Sequence, residues 1–360
     1  MKRYRNKVLQ GIALAFGVVV VLIVLADGRE LLRHLRDFPP LLLVPIFLLK
    51  MVNWAFRYME WHYLLGVVGV KTVTHGETSP GPPPTIRLRD NIPLFIVGFP
   101  MAMSPGKAAE VLKAAIVKNL TGTPITRTAP VVLAERVVDG LAVLIIIGIA
   151  GLLGGDAVFK DIQSVDASYL RAVLIFTLIA MAAGIGIIQM KPLALWVIGQ
   201  IEEIPRIHAP ILALYESSYE VLRIKRFIPT VGFGLVAYGT DCIALYIMLR
   251  GFGIPGSPEL FAQASFILGF AVIVAALSAM PGGAGARELS VTALLIGIIG
   301  VEDDIAQVTT LMNSFFQVGL GVLVGVVMAI IFRRMLFPPA LDDILLNDGP
   351  LPLEAVHETG

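Results

Sequence analysis

The chain has one cysteine, Cys242, so no intrachain disulfide can form and no redox compartment can be inferred. Charge is scarce. Asp, Glu, Lys and Arg make up 15% of the 360 residues, where a soluble protein carries about 25%. Nucleotide-loop chemistry is missing as well: Gly106-Lys107 has no glycine at the required spacing before it, and Ala108 stands where a Walker loop needs Ser or Thr. There is no His-Glu-x-x-His pattern, and the five histidines are scattered, so no metal site is expected. No Gly-x-Ser-x-Gly elbow exists. No segment is long and polar enough to form a soluble catalytic domain. These gaps argue against an enzyme and imply no cofactor. The net charge of +1 says nothing about partners.

What is abundant is apolar sequence. Hydrophobic residues reach 56% and mean hydropathy is +0.82, which places the chain in a membrane. A span needs roughly 20 apolar residues. Full-span candidates are 8–26, 39–56, 128–153, 169–190, 228–249 and 305–332. Basic residues precede the run Val8 to Ala26, which lacks a clear cleavage site and is taken as a retained span. Two more apolar regions, 92–119 and 258–300, carry Pro-Gly breaks. Each arm of the first has about a dozen residues, or about 18 Å of helix, too short for a hydrocarbon core of about 30 Å. It reads as a re-entrant hairpin. The stretch 258–279 is long enough to be either a full span or half of a second hairpin.

Charge placement orients these segments. Lys2, Arg3, Arg5 and Lys7 hold the N-terminus inside, as do Arg57, Lys71, Arg87 and Arg89 for the 57–91 connection. The 191–227 stretch is amphipathic and basic, and Arg333 and Arg334 follow the last span, so both lie inside. The loop 154–168 and the run Glu302, Asp303 and Asp304 lie outside. The expected fold is therefore all-α: a polytopic integral membrane protein of about six full spans and two re-entrant helical hairpins in an inverted-topology repeat. One transmembrane domain covers 1–335, with a first repeat at 1–155 and a second at 165–335. Residues 336–360 read as a disordered cytoplasmic tail, 76–91 as a flexible cytoplasmic loop, and 27–38 as an amphipathic stretch along the outer interface.

The candidate chemistry sits at the breaks. The first reads Ser104-Pro105-Gly106-Lys107-Ala108-Ala109-Glu110, the second Met280-Pro281-Gly282-Gly283-Ala284-Gly285-Ala286-Arg287-Glu288. Lys107, Glu110 and Lys113 recur every three residues and share a face of a half-helix starting at Pro105-Gly106. A helix N-terminus beside a lysine suits a phosphate; the alternative is lysines that snorkel to headgroups, with Glu110 paired to one of them. In the second break, Gly282, Gly283 and Gly285 allow close approach, and Arg287 can fork onto a phosphate. Gly285 is placed inside the first helical turn, where glycine costs about 1 kcal/mol relative to alanine. A direct Arg287–Glu288 pair is not expected, because adjacent helical residues diverge. Glu135, Arg136 and Asp139 can cluster within one span, as a site or as a structural lock. Asp241, near Tyr238 and Tyr246, is either a proton or cation site or a satisfied buried carboxylate. Arg57 and Glu60, with Trp54 and Trp61, read as an interfacial anchor, and Asn313 with Gln317 as interhelical contacts.

At these residues the chain resembles the transmembrane region of the lysylphosphatidylglycerol synthase family, the flippase part of the multiple peptide resistance factor. Its Pro-Gly-x-x-Gly-Glu-x-x-Arg pattern looks like Pro105 to Lys113, its Glu-Arg-x-x-Asp like Glu135 to Asp139, and its Pro-Gly-Gly-x-Gly-x-x-Glu like Pro281 to Glu288. Ala109 and Lys113 depart from the usual Gly and Arg, and lysine keeps the charge without the bidentate fork. The family's aminoacyl-transferase domain has no counterpart in the sequence. The resemblance implies translocation, not synthesis, of a lipid: an anionic phospholipid, an aminoacyl-phospholipid or a polyprenyl-phosphate-linked lipid of the cytoplasmic membrane. Membrane lipids are the expected partners, with no nucleic acid, and with a homo-oligomer or a separately encoded lipid-modifying enzyme as protein partners. A proton- or ion-coupled carrier of a small anion and a non-transporting scaffold subunit are the alternatives.

The charge pattern makes a topology test direct. On a Cys242→Ala background, cysteines placed at 60–90, 191–227 and the C-terminus should label from the cytoplasmic side, and those at 154–168 and 301–304 from outside. Labelling of position 303 only from the cytoplasmic side would rule out the inverted repeat.

Overall fold

The computed structural model describes residues 36–80, 83–103, 110, 112–154, 167–200, 205–278 and 280–336. The apolar run 8–26, the amphipathic stretch as far as residue 35, Pro105, Gly106 and Lys107, most of the 154–168 loop and the tail after residue 336 lie outside them. A 3-10 turn, Pro40–Leu42, leads into α1, Leu43–Val67. Two three-residue strands, β1 (Lys71–Val73) and β2 (Thr85–Arg87), pair in parallel; they are the one correction to an all-α reading. Next come α2 (Leu88–Met101), α3 (Leu112–Thr121) and the long α4, Ile125–Gly154. The second half holds α5 (Ala167–Gln189), α6 (Lys191–Gly199), α7 (Pro205–Leu222) and α8 (Ile224–Gly251). It ends with α9 (Pro258–Leu277), α10 (Ala286–Leu294), α11 (Asp303–Ser314), α12 (Leu320–Ile331) and α13 (Arg333–Leu336). Single π-helical turns extend α10 over Leu295–Ile299 and join α11 to α12 over Phe315–Gly319.

Among the described residues, five stretches are long and apolar enough to cross a bilayer: Pro40–Val67, Ile125–Leu153, Ile224–Gly251, Pro258–Leu277 and Asp303–Ile331. The protein is thus an α-helical polytopic membrane protein. The first of these stretches continues beyond the sequence-based end at 56 to Val67, because Arg57 pairs with Asp139 inside the fold and does not end the helix. The 57–91 connection accordingly begins only after Val67.

The chain separates into two ends. Val70, Ile86, Leu222, Phe227 and Leu336 share one apolar cluster, and Arg127 abuts Gly69, so the β-strands, the α7–α8 junction and the C-terminal turn gather at one end. Ala150, Leu260, Ile298 and Val301 share another cluster, with the acidic start of α11 beside it. By length α9 could cross alone. Its return arm nonetheless comes back to the same end, where Gln263 Nε2 donates to the Ile298 carbonyl at 3.3 Å. Helices α9 and α10 therefore form one hairpin, and α2 and α3 form the other, closed by the Lys113 stem lying over Gly98.

Each hairpin packs on a helix from the other half of the chain, α2 against α12 and α9 against α4, while α1 and α8 pack on each other. Glycine permits these contacts. A Cβ on Gly269 would stand 2.6 Å from Ile147 Cγ1, and one on Gly325 would lie 2.8 Å from the Ile96 carbonyl and collide with Pro100. The two hairpin tips meet: Met103, at the end of the described part of the first, occupies the space a side chain on Gly282 would need.

Packing predicts opposite outcomes for two helical glycines. Gly325→Ala should destabilise the protein by about 1–3 kcal/mol through overpacking against a rigid proline ring. A methyl group added at Gly148 would meet nothing within 4 Å. That position should accept alanine with no loss of melting temperature, since glycine itself costs about 0.5–1 kcal/mol in a helix. Thermal melts in detergent check both; equal melting of the two variants would refute the close α2–α12 contact.

Candidate functional site

Where the hairpin tips approach α1, α4 and α8, a cavity of about 310 Å³ opens. Its lining is unusually charged for the interior of apolar helices. Helix α1 supplies Lys50, Asn53, Arg57 and Glu60, at spacings of three, four and three residues that put them on one face. Hairpin one supplies Glu110 and Lys113, α4 supplies Glu135, Arg136 and Asp139, α8 supplies Tyr238 and Asp241, and hairpin two supplies Arg287. Phe95, Phe99, Val272 and Ile273 belong to the wall, as does the half-exposed Leu277.

The charges are paired across elements. Lys50 Nζ lies 3.4 Å from Asp241 Oδ1, and Asn53 donates to the other Asp241 oxygen at 3.1 Å, tying α1 to α8. Arg57 Nη1 meets Asp139 Oδ1 at 2.8 Å, tying α1 to α4. Arg136 bridges Asp139 at 2.9 Å and Glu110 at 3.2 Å, and Lys113 meets Glu135 at 2.8 Å, so two ion pairs hold the return arm of hairpin one on α4. Lys113 also sits 3.9 Å above the Trp61 ring, a cation–π contact. It is buried, not snorkelled, and Glu110 has an arginine of α4 as its partner among the described residues.

The second break has a different construction from the expected one. Gly282, Gly283 and Gly285 have φ of 60°, 69° and 84°, left-handed values that favour glycine. Gly285 is the N-cap of α10, outside its first turn, so its conformation explains the residue without any ligand. Gly283 faces Ala275 with no room for a Cβ, which closes the hairpin. Arg287 and Glu288 do pair directly: Nη2 to Oε1 is 2.8 Å and Nε to Oε1 is 3.2 Å. They occupy the frayed start of the helix, where long side chains curl back over free N–H groups. Glu288 Oε2 accepts the Gly285 N–H at 2.6 Å, and Oε1 accepts Ser314 at 2.7 Å. Pro281 lies in a 3-10 turn over Pro281–Gly283.

The structure thus brings together Glu110, Lys113, Glu135, Arg136, Asp139, Asp241, Gly282, Gly283 and Arg287 around one cavity, with Gly285 and Glu288 supporting Arg287 from behind. It corrects the interfacial reading of α1: Arg57, Glu60 and Trp54 line the cavity, and Trp61 is fully buried, with its indole N–H donated to Asn91 at 2.9 Å. Lys50 and Asn53 were missed by sequence reading. Their signal was the i, i+3, i+7, i+10 spacing of polar residues 50, 53, 57 and 60 in apolar surroundings. Gln317 also lines the cavity.

The family model described as the lysylphosphatidylglycerol synthase transmembrane region matches residues 11–325. No curated protein matches the chain.

The Lys50–Asp241 pair offers a stability test. Asp241→Asn should cost about 3–5 kcal/mol by leaving a buried ammonium without its counter-charge, whereas the double change Lys50→Met/Asp241→Leu should recover most of that loss. A denaturation series on Lys50→Met, Asp241→Leu and the double, beside Asp241→Asn, checks it. Strict additivity would show that the two residues do not interact.

Proposed function

We propose, from the premise that the chain belongs to the lysylphosphatidylglycerol synthase transmembrane-region family, that it moves a phosphate-bearing lipid across the cytoplasmic membrane and does not synthesise it. The cargo is an anionic phospholipid, an aminoacyl-phospholipid or a polyprenyl-phosphate-linked lipid. The observation that carries this reading is the cavity itself: a charged chamber where the two hairpins approach each other, whose wall also holds apolar residues, among them the half-exposed Leu277. An amphiphile suits such a mixed lining, with charged groups for its head and apolar residues for the start of its tails.

In this reading Arg287 and Lys113 face the phosphate. Two guanidinium nitrogens of Arg287 are engaged by Glu288, and Nη1 is the donor turned to the headgroup. Glu110 and Asp139 hold Arg136, and a cationic substituent on the cargo would exchange with it. The pairing of α2 with α12 and of α9 with α4 supports two related halves, residues 1–155 and 165–335, in inverted topology. The end holding the β-strands and the C-terminal turn is then cytoplasmic. Rocking one half on the other would open the cavity to each face in turn.

Reconstituted in vesicles with a fluorescent phosphatidylglycerol, the parent should speed exchange between leaflets. Arg287→Ala and Glu110→Gln should each abolish that activity while remaining folded in detergent, where a stability loss of about 3–5 kcal/mol is expected from the unpaired partner, and the double variant should be no worse in transport than either single one. Well-folded single variants that still move lipid at the parent rate would make these residues structural.

A further inference from the structure

Charge does not balance evenly around the cavity. Among the described residues five cations meet there, and each has a carboxylate: Lys50 has Asp241, Arg57 has Asp139, Lys113 has Glu135, Arg136 has both Glu110 and Asp139, and Arg287 has Glu288. A sixth carboxylate, Glu60, is left over. It is 2% exposed, lines the cavity, and its Oε1 has no hydrogen-bond partner among the described residues. A buried ionised carboxylate without a counter-charge costs several kcal/mol, so Glu60 needs a positive charge from outside the described chain.

The groups around it set which charge that is. On its own helix it feels Arg57, and from α4 it feels Glu135, Arg136 and Asp139. Lys113 and Glu110 face the same cavity from hairpin one, and Tyr238 and Asp241 from α8. Every one of these cations is already committed to another carboxylate. The neighbouring carboxylates Asp139 and Glu135 are occupied by arginine and lysine, which removes the several oxygen ligands a divalent metal needs. A proton needs only the one free oxygen.

We propose that Glu60 is the cavity's exchangeable-proton site, taking one proton from water as a singly charged phosphate headgroup enters and returning it to water as the headgroup leaves. An O–H bond forms on the Glu60 carboxylate and breaks again; nothing is oxidised or reduced. With Glu60 ionised, the described cavity groups carry one more negative charge than with Glu60 protonated, and they repel an anion more strongly. Proton and headgroup therefore favour each other's binding by the same factor, as linkage requires. This step rests on the lipid-transport reading, since the headgroup is what the proton accompanies.

Calorimetric titration of the full chain in detergent with dioctanoyl phosphatidylglycerol, in two buffers of different ionisation enthalpy, measures the protons taken up. At a pH where Glu60 is ionised in the lipid-free protein, the parent should take up one proton per lipid, and its affinity should fall by up to about tenfold per pH unit as Glu60 loses its proton. Glu60→Gln should take up none and show a flat profile; Glu60→Asp should keep the uptake. Undiminished uptake by Glu60→Gln overturns the proposal. So does binding of dioctanoyl phosphatidylethanolamine without proton uptake and more tightly by the parent than by Glu60→Gln, which would make Glu60 an ammonium site. Should the parent bind neither lipid, the transport reading fails alone. The proton site is then read by infrared difference spectroscopy of the acidified protein: a carboxyl C=O band absent from Glu60→Gln supports it, and identical spectra overturn it. If Glu60→Gln does not fold, Glu60→Asp serves in its place, with a shifted band in support and an unshifted one against.

Discussion

Charged side chains carried in the middle of apolar helices must find one another, and this constraint organises the molecule. In surroundings that supply little water, an unpaired ammonium or carboxylate is more costly than almost any packing defect. The pairs therefore act as addresses. Lys50 with Asp241 brings α1 to α8, Arg57 with Asp139 brings α1 to α4, and Lys113 and Arg136 fasten hairpin one to α4. Removing these charges in favour of apolar residues would leave helices free to pack in many registers, because lipid tails and leucine side chains are nearly equivalent solvents for each other.

The hairpins follow from a second constraint, the backbone at the breaks. Pro281 and the left-handed Gly282, Gly283 and Gly285 stop α9 and restart the chain as α10 with free N–H groups at depth. Glu288 answers one of those groups and holds Arg287 against the cavity, so the turn and the charge form a single device. The close approach of Met103 to Gly282 places both tips at one point.

Much of the architecture was legible in the sequence because hydropathy, Pro-Gly breaks and carboxylate-cation spacing are local signals. Helices α4, α8 and α11–α12 fall within a few residues of the runs read from hydropathy. The cluster at Glu135, Arg136 and Asp139 was visible from its i, i+1, i+4 spacing. The errors came where a local rule met a non-local partner. Arg57 and Glu60 looked like the wet end of a span, yet α1 continues to Val67 because Asp139 lies 2.8 Å from Arg57 on another helix. The Arg287–Glu288 pair looked forbidden by helical geometry, but a helix start lets both side chains curl over its free end.

By itself the sequence determined the class of the protein, the approximate spans, the two breaks and most of the charged residues that matter. Each of these depends only on the transfer cost of a residue or on the conformational demands of Pro and Gly, which are properties of the chain read in order. The tertiary structure alone decided which charges are partners, that Gly285 is a cap and not a helical residue, and that Lys50, Asn53 and Glu60 belong to the cavity. Pairing energy depends on the separation of the charges and on the dielectric around them; for residues as far apart in sequence as Lys50 and Asp241, both are set only once the helices have packed.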